Sequence, residues 1–138
     1  MSEELSEERR LQAPDIGDEA VRRHLGPGSL RLFAGIMNAW KAPDEEGWKL
    51  LALPPGTSTK DLDPLALSQD ALLRISCLVG IYQSLHIYWE DGLADRWVRL
   101  ANASGMFGGR SPLEYMAGGG LDAMRDVRNL LDAWCAGF

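Results

Sequence analysis

The side chains able to do chemistry are few and lie apart. His24 and His86 stand alone in the sequence, and neither Cys77 nor Cys135 belongs to a Cys-x-x-Cys or Cys/His cluster. Zinc and thiol-redox sites therefore have no support. No serine or cysteine pairs with a histidine in a context that points to a nucleophile. The phosphate-binding patterns Gly-x-x-x-x-Gly-Lys-Ser/Thr and Gly-x-Gly-x-x-Gly are absent as well. Catalysis, a metal and a cofactor are thus not expected. One anion-binding arrangement can be read at Gly105 to Gly109, where free amides and Arg110 precede a helix start at Ser111, although a flexible lead-in explains the same residues.

Two quieter features concern contact. Ser76, Gly80 and Ser84 recur every four residues, so small side chains line one stripe of a helix and admit close approach by another backbone, internal or from a second copy. Arg128 and Asp132 also lie four apart, but with the cation first, the less favourable order, and Asp132 falls near a negative helix end. Either a tertiary or intermolecular arginine holds Asp132, or it is an exposed aspartate of no consequence. Phe138, beside Trp134 and the small Ala136 and Gly137, suits filling a pocket.

These residues must be carried by helices, since period-two alternation is nowhere sustained. Residues 1–18, rich in Glu, Arg, Ser and Asp, are expected to be a flexible arm. Ser29 is read as the cap of an amphipathic helix through Leu30, Phe33, Ile36, Met37 and Trp40. Asp44 is read as the cap of a second helix that carries Glu45 and Glu46 and buries Trp48 and Leu51. Residues 54–64, with three prolines, allow at most one helical turn. Ser68 opens a helix apolar almost all round up to Trp89, the pattern of a central buried element. A shorter helix carries Trp97. Ser111-Pro112-Leu113-Glu114 combines cap serine, first-turn proline and a capping-box glutamate. Gly118-Gly119-Gly120 is expected to end that helix before a last one through Leu121, Met124, Val127, Leu131 and Trp134. The fold class is all-α, with a helix-turn-helix-like part over 19–67 and a helical domain over 68–138.

The chain of 138 residues carries 14 basic and 20 acidic side chains, a net charge of −6. Residues 1–70 alone hold eight basic against thirteen acidic, so phosphate contacts are scarce where a helix-turn-helix would need them. Thr57, Ser58, Thr59 and Lys60 are the candidate DNA-contacting residues. An acidic start and the lack of a long apolar run point away from secretion and membrane spanning, towards the cytoplasm.

Taken in order, Leu78-Val79-Gly80-Ile81-Tyr82, Ala94-Asp95-Arg96-Trp97, Asn102, Phe107-Gly108-Gly109-Arg110-Ser111-Pro112-Leu113, Gly119-Gly120 and Leu131-Asp132-Ala133-Trp134 resemble the toxin-binding domain of the Xre/MbcA/ParS-type antitoxins over residues 68–138. The resemblance implies an antitoxin of a type II toxin-antitoxin pair. Its partner would be a RES-domain toxin that degrades NAD, with the antitoxin's C-terminal helix and tail obstructing the active site. Toxin contacts would fall on Asn102, Phe107, Arg110, Arg128, Asp132, Trp134, Cys135, Ala136, Gly137 and Phe138. Self-association, as a dimer, would use Ser76, Gly80 and Ser84, and operator DNA would be bound mainly by the toxin-antitoxin complex. The sequence departs from the family pattern at Ala101, where proline is usual, and at Cys135-Ala136-Gly137, where arginine and two glycines are usual. The alternative reading is a helix-turn-helix transcriptional regulator.

Overall fold

The computed structural model describes residues 14–137. Among them the chain forms five α-helices and no strand: α1 (Glu19–Ala39), α2 (Asp44–Leu50), α3 (Gln69–Tyr88), α4 (Asp91–Trp97) and α5 (Pro112–Cys135), with one 3-10 turn at Thr59–Asp61. The all-α expectation holds. Residues 1–13 of the expected N-terminal arm lie outside the described residues. Of the remainder, Ile16 and Gly17 offer their carbonyls to the Arg22 guanidinium, both at 2.9 Å.

The first helix begins well before Ser29. Asp18 caps it, its carboxylate accepting the Ala20 N–H at 2.8 Å, and Glu19 adds a favourable charge to the first turn. Gly26-Pro27-Gly28 reads locally as a breaker, yet Pro27 lies inside the helix at the loss of one backbone bond. Packing explains this. Gly26 is buried, and a β-carbon there would overlap the carbonyl of Pro64, so glycine lets the returning chain lie directly on α1. Phe33, Ile36 and Met37 then carry the helix into the core.

In α2 the cap position is Pro43, and Asp44 falls in the first turn with Glu45 and Glu46. Leu50 and Leu51 are buried, but Trp48, expected inside, is half-buried with the Lys49 ammonium 5.6 Å from its ring. A seven-residue helix cannot bury every apolar position once Leu50 faces the core.

Ser68 caps α3 by accepting the Ala71 N–H at 3.0 Å. This helix is central: α1 packs on one side, α5 on another and α4 at its end, which is why apolar residues surround it. Leu72, Ile75, Leu78, Ile81 and Leu85 belong to one continuous cluster of buried side chains running from Phe33 to Leu131.

The capping box of α5 forms as its spacing demands, Ser111 accepting the Glu114 N–H at 3.1 Å while Glu114 accepts the Ser111 N–H at 3.2 Å. These bonds hold the Glu114 carboxyl below its ordinary pKa. The triple glycine produces a bend at Gly120, with φ 69° and ψ −149°, a backbone conformation that only glycine adopts readily. Tyr115 Oη donates to Asp126 Oδ2 across the bend at 2.9 Å. A straight helix would separate those residues by about 16 Å along its axis, so the two limbs of α5 turn sharply toward each other. No helix among the described residues is long and apolar enough to cross a membrane.

Candidate functional site

The second limb of α5 lies along α3, and three pairings define how. The Arg74 guanidinium is the nearest neighbour of Gly120, the Arg128 guanidinium covers Gly80, and the Ser84 hydroxyl donates to Asp132 Oδ1 at 3.2 Å. The numbers rise together on both helices, so α3 and this limb run parallel. A β-carbon on Gly80 would come within 2.6 Å of the guanidinium carbon of Arg128, so the small residue makes room for a cation. Cys135 Sγ adds a weak donation to the Ser84 carbonyl at 3.6 Å. Of the two coverings the small-residue stripe allowed, the chain's own α5 takes Gly80 and Ser84. Ser76 alone stays exposed, on an apolar groove of about 400 Å³ between α1 and α3 that Leu25, Leu32, Leu72 and Val79 also line.

The Ser84 bond also accounts for Asp132. Its partner is a neutral hydroxyl, which is neither the arginine nor the partnerless exposed aspartate that the sequence left open. The hydroxyl lets a carboxylate persist at a negative helix end without burying an ion pair.

A row of aromatic rings connects the loop before α5 to its end. Trp89 meets Tyr88 (4.8 Å between centroids), Tyr88 meets Trp134 (5.4 Å), Trp134 meets Trp97 (5.7 Å), Trp97 meets Phe107 (5.9 Å) and Phe107 meets Tyr115 (5.4 Å). Edge-to-face contacts dominate, the arrangement favoured by ring quadrupoles. Trp134 is thus half-buried and fixed by its neighbours.

The same row decides the place of Phe107, which is 0% exposed. It anchors the loop from inside and presents no surface. Asn102 closes that loop: its N–H donates to the Arg110 carbonyl, its carbonyl accepts the Gly109 N–H, and its side chain accepts the Ser104 N–H. Arg110 is exposed, 5.5 Å over the Tyr115 ring. Asp132, Cys135, Ala136 and Gly137 are exposed at the end of α5, and Phe138 lies outside the described residues. The candidate set therefore divides into residues that build the surface (Asn102, Phe107, Arg128, Trp134) and residues that present it (Arg110, Asp132, Cys135, Ala136, Gly137).

At the other candidate site, the Thr57 hydroxyl donates to the Pro54 carbonyl at 2.6 Å, Ser58 precedes the 3-10 turn, Thr59 is half-buried beside Gly47, and Lys60 is exposed. One such turn stands where a recognition helix would be required.

One constellation escaped the sequence reading. His86, taken as isolated, bridges two carboxylates at the corner between α3 and α4, with Nδ1 3.0 Å from Asp91 Oδ1 and Nε2 2.8 Å from Asp95 Oδ1. The Tyr82 ring lies 4.2 Å from the imidazole. Burial disfavours the imidazolium, but hydrogen bonds to both aspartates outweigh it and raise the pKa. Burial first, then the charges of Asp95 and Asp91, push the Tyr82 phenol up. The available signal was a histidine in the last turn of one helix with acids in the first turns of the next.

Residues 84–137 match the family model described as the antitoxin Xre/MbcA/ParS C-terminal toxin-binding domain. Over this segment, less than half of the chain, the sequence is similar to that antitoxin toxin-binding domain. No curated protein and no solved structure gives a significant match. The matched toxin-binding domain is narrower than the 68–138 of the resemblance. It starts at Ser84, the residue that bonds Asp132, and takes in α4, the Phe107 loop and all of α5. Asn102, Phe107, Arg110, Arg128, Asp132 and Trp134 all lie within it.

Proposed function

We propose that this chain is the antitoxin of a type II toxin-antitoxin pair, and that it inhibits a RES-domain toxin by blocking the NAD-degrading active site with the end of α5 and the tail. The observation that carries the reading is the toxin-binding domain over residues 84–137. Ala136 and Gly137 are exposed beyond the end of α5, so they are free to enter a cavity. Asp132 stands exposed beside them, and Arg110 offers a cation on the loop. Inhibition by occupancy requires no catalytic group and no cofactor on this chain. Self-association, with Ser76 as the exposed member of its stripe, multiplies copies within the complex. Operator DNA is engaged mainly by that assembly, because one acidic module supplies few phosphate contacts.

The test coexpresses this chain with the product of the neighbouring reading frame and follows cellular NAD. The full chain is expected to preserve NAD. A chain ending at Cys135 is expected to keep its helical circular dichroism and lose protection. Continued NAD loss with the full, folded chain would overturn the antitoxin reading. Protection by the shortened chain would overturn the plug and leave the surface around Arg110 and Asp132 as the inhibitory element.

A further inference from the structure

Because α3 and the second limb of α5 run parallel, both helices end at the same pole of the molecule. Ile87 and Tyr88 sit at that end of α3, on the face shared with Ser84. The Tyr88–Trp134 ring contact and the Ser84–Asp132 bond place this face against the end of α5. Ile87 is 76% exposed and Tyr88 47%. Single exposed apolar residues are ordinary, but here two are consecutive, and one of them, Tyr88, meets the half-buried Trp134, so that together they form a patch.

The rim of the patch is acidic. Glu90, Asp91 and Asp132 are exposed; of the flanking cations, Arg128 is half-buried over Gly80 and Arg96 lies in the last turn of α4, at the opposite end from Glu90 and Asp91. His86, when protonated, sits between Asp91 and Asp95. The negative ends of α3 and α5 converge on the same pole, together with the positive end of the short α4, which Glu90 and Asp91 offset.

We propose that this pole, centred on Ile87 and Tyr88, is a docking surface for a protein partner bearing an apolar socket rimmed by lysine or arginine. The proposal rests on the antitoxin reading and assigns the toxin a second contact beside the tail. Charge selects the class of partner. Phosphate backbones and anionic lipid surfaces are repelled by such a rim, and a second copy of the same pole would set acid against acid. Apolar residues at the centre supply affinity, while the charged rim supplies orientation and association rate.

The test uses the full chain and, as probe, the purified protein encoded by the neighbouring reading frame, titrated calorimetrically and by surface plasmon resonance. Ile87→Glu is expected to weaken binding about tenfold or more, with unchanged circular dichroism and melting temperature because the side chain is exposed. Ile87→Leu is expected to retain affinity. Leu32→Glu, at a position 55% exposed on α1, is expected to bind as wild type, and the wild-type association rate is expected to fall as salt rises. Wild-type binding unchanged by Ile87→Glu, or lost equally with Leu32→Glu, would overturn the docking surface and leave the antitoxin reading standing. Failure of the wild-type chain to bind would overturn both.

Discussion

The two flanks of α3 are built differently. On the α1 flank, shape decides: Phe33, Ile36 and Met37 pack against the core, Gly26 lets the Pro64 backbone lie on α1, and an apolar groove remains open beside Leu32. On the α5 flank, polar groups fix the register, with Arg128 over Gly80 and Ser84 bonded to Asp132, and the aromatic row closes one end. Apolar surfaces can slide with small changes in energy, whereas a buried hydroxyl and a guanidinium have discrete partners. The flank that overlaps the family match at residues 84–137 is the one held in register by polar groups. Under the proposed antitoxin function, presenting Asp132 and the tail at a set position requires that property.

The largest test of this contrast is Phe107→Ala. With its ring fully buried between Trp97 and Tyr115, truncation is expected to cost about 3–5 kcal/mol, read by chemical denaturation. Toxin binding should fall with it, through loss of the loop and aromatic row. A mutant that keeps its stability but loses binding would instead make Phe107 a direct contact.

Gly26→Ala probes the opposite flank. Overlap with Pro64 is expected to cost about 1–3 kcal/mol and lower the melting temperature, while the folded fraction keeps its affinity. Gly35 on the same helix has nothing within 4 Å of an added β-carbon, so Gly35→Ala should be neutral or stabilise by up to about 1 kcal/mol through helix propensity alone. Equal losses from both substitutions would show that α1 tolerates no change for reasons other than the Pro64 contact.

The smallest effect concerns the His86 bridge. Its folded pKa is raised above the ordinary value of about 6.5, so its stabilisation is fully present below that pH and is lost as pH rises through the folded value. The melting temperature is therefore expected to decline as pH rises above about 6.5 and through the raised folded value, and His86→Gln should remove that component. NMR titration of His86 checks the direction independently. A pKa below the ordinary value would mean that burial wins over Asp91 and Asp95.

Much of the framework was legible because it is local. Ser68 and the Ser111/Glu114 box satisfy amide groups three residues away, Gly120 bends a helix by its own backbone torsions, and the all-round apolar pattern of α3 marks it as central whatever surrounds it. The start of α1 was misread for the same reason in reverse. Ser29 was the expected cap, but Asp18 caps α1 well before it and Gly26-Pro27-Gly28 stays helical where the Pro64 backbone lies against Gly26. Phe107 was read as part of a binding motif although its conspicuous setting serves the core, since a motif records which residues recur together and is silent on which face solvent.

By itself, then, the sequence determined the caps of α3 and α5, the break in the last helix, the all-α class and the absence of any clustered Cys/His or nucleophile motif, all of which depend on neighbours within a few positions. The tertiary structure alone decided that α3 and the end of α5 run parallel, that His86 meets Asp91 and Asp95, and that Ile87, Tyr88 and Asp132 share one pole. Ser84 and Asp132 are 48 residues apart, and no propensity or period acts over such a distance. Only the burial of both helices in one core brings them together, and it is that burial which leaves the acidic, apolar-centred end facing outward.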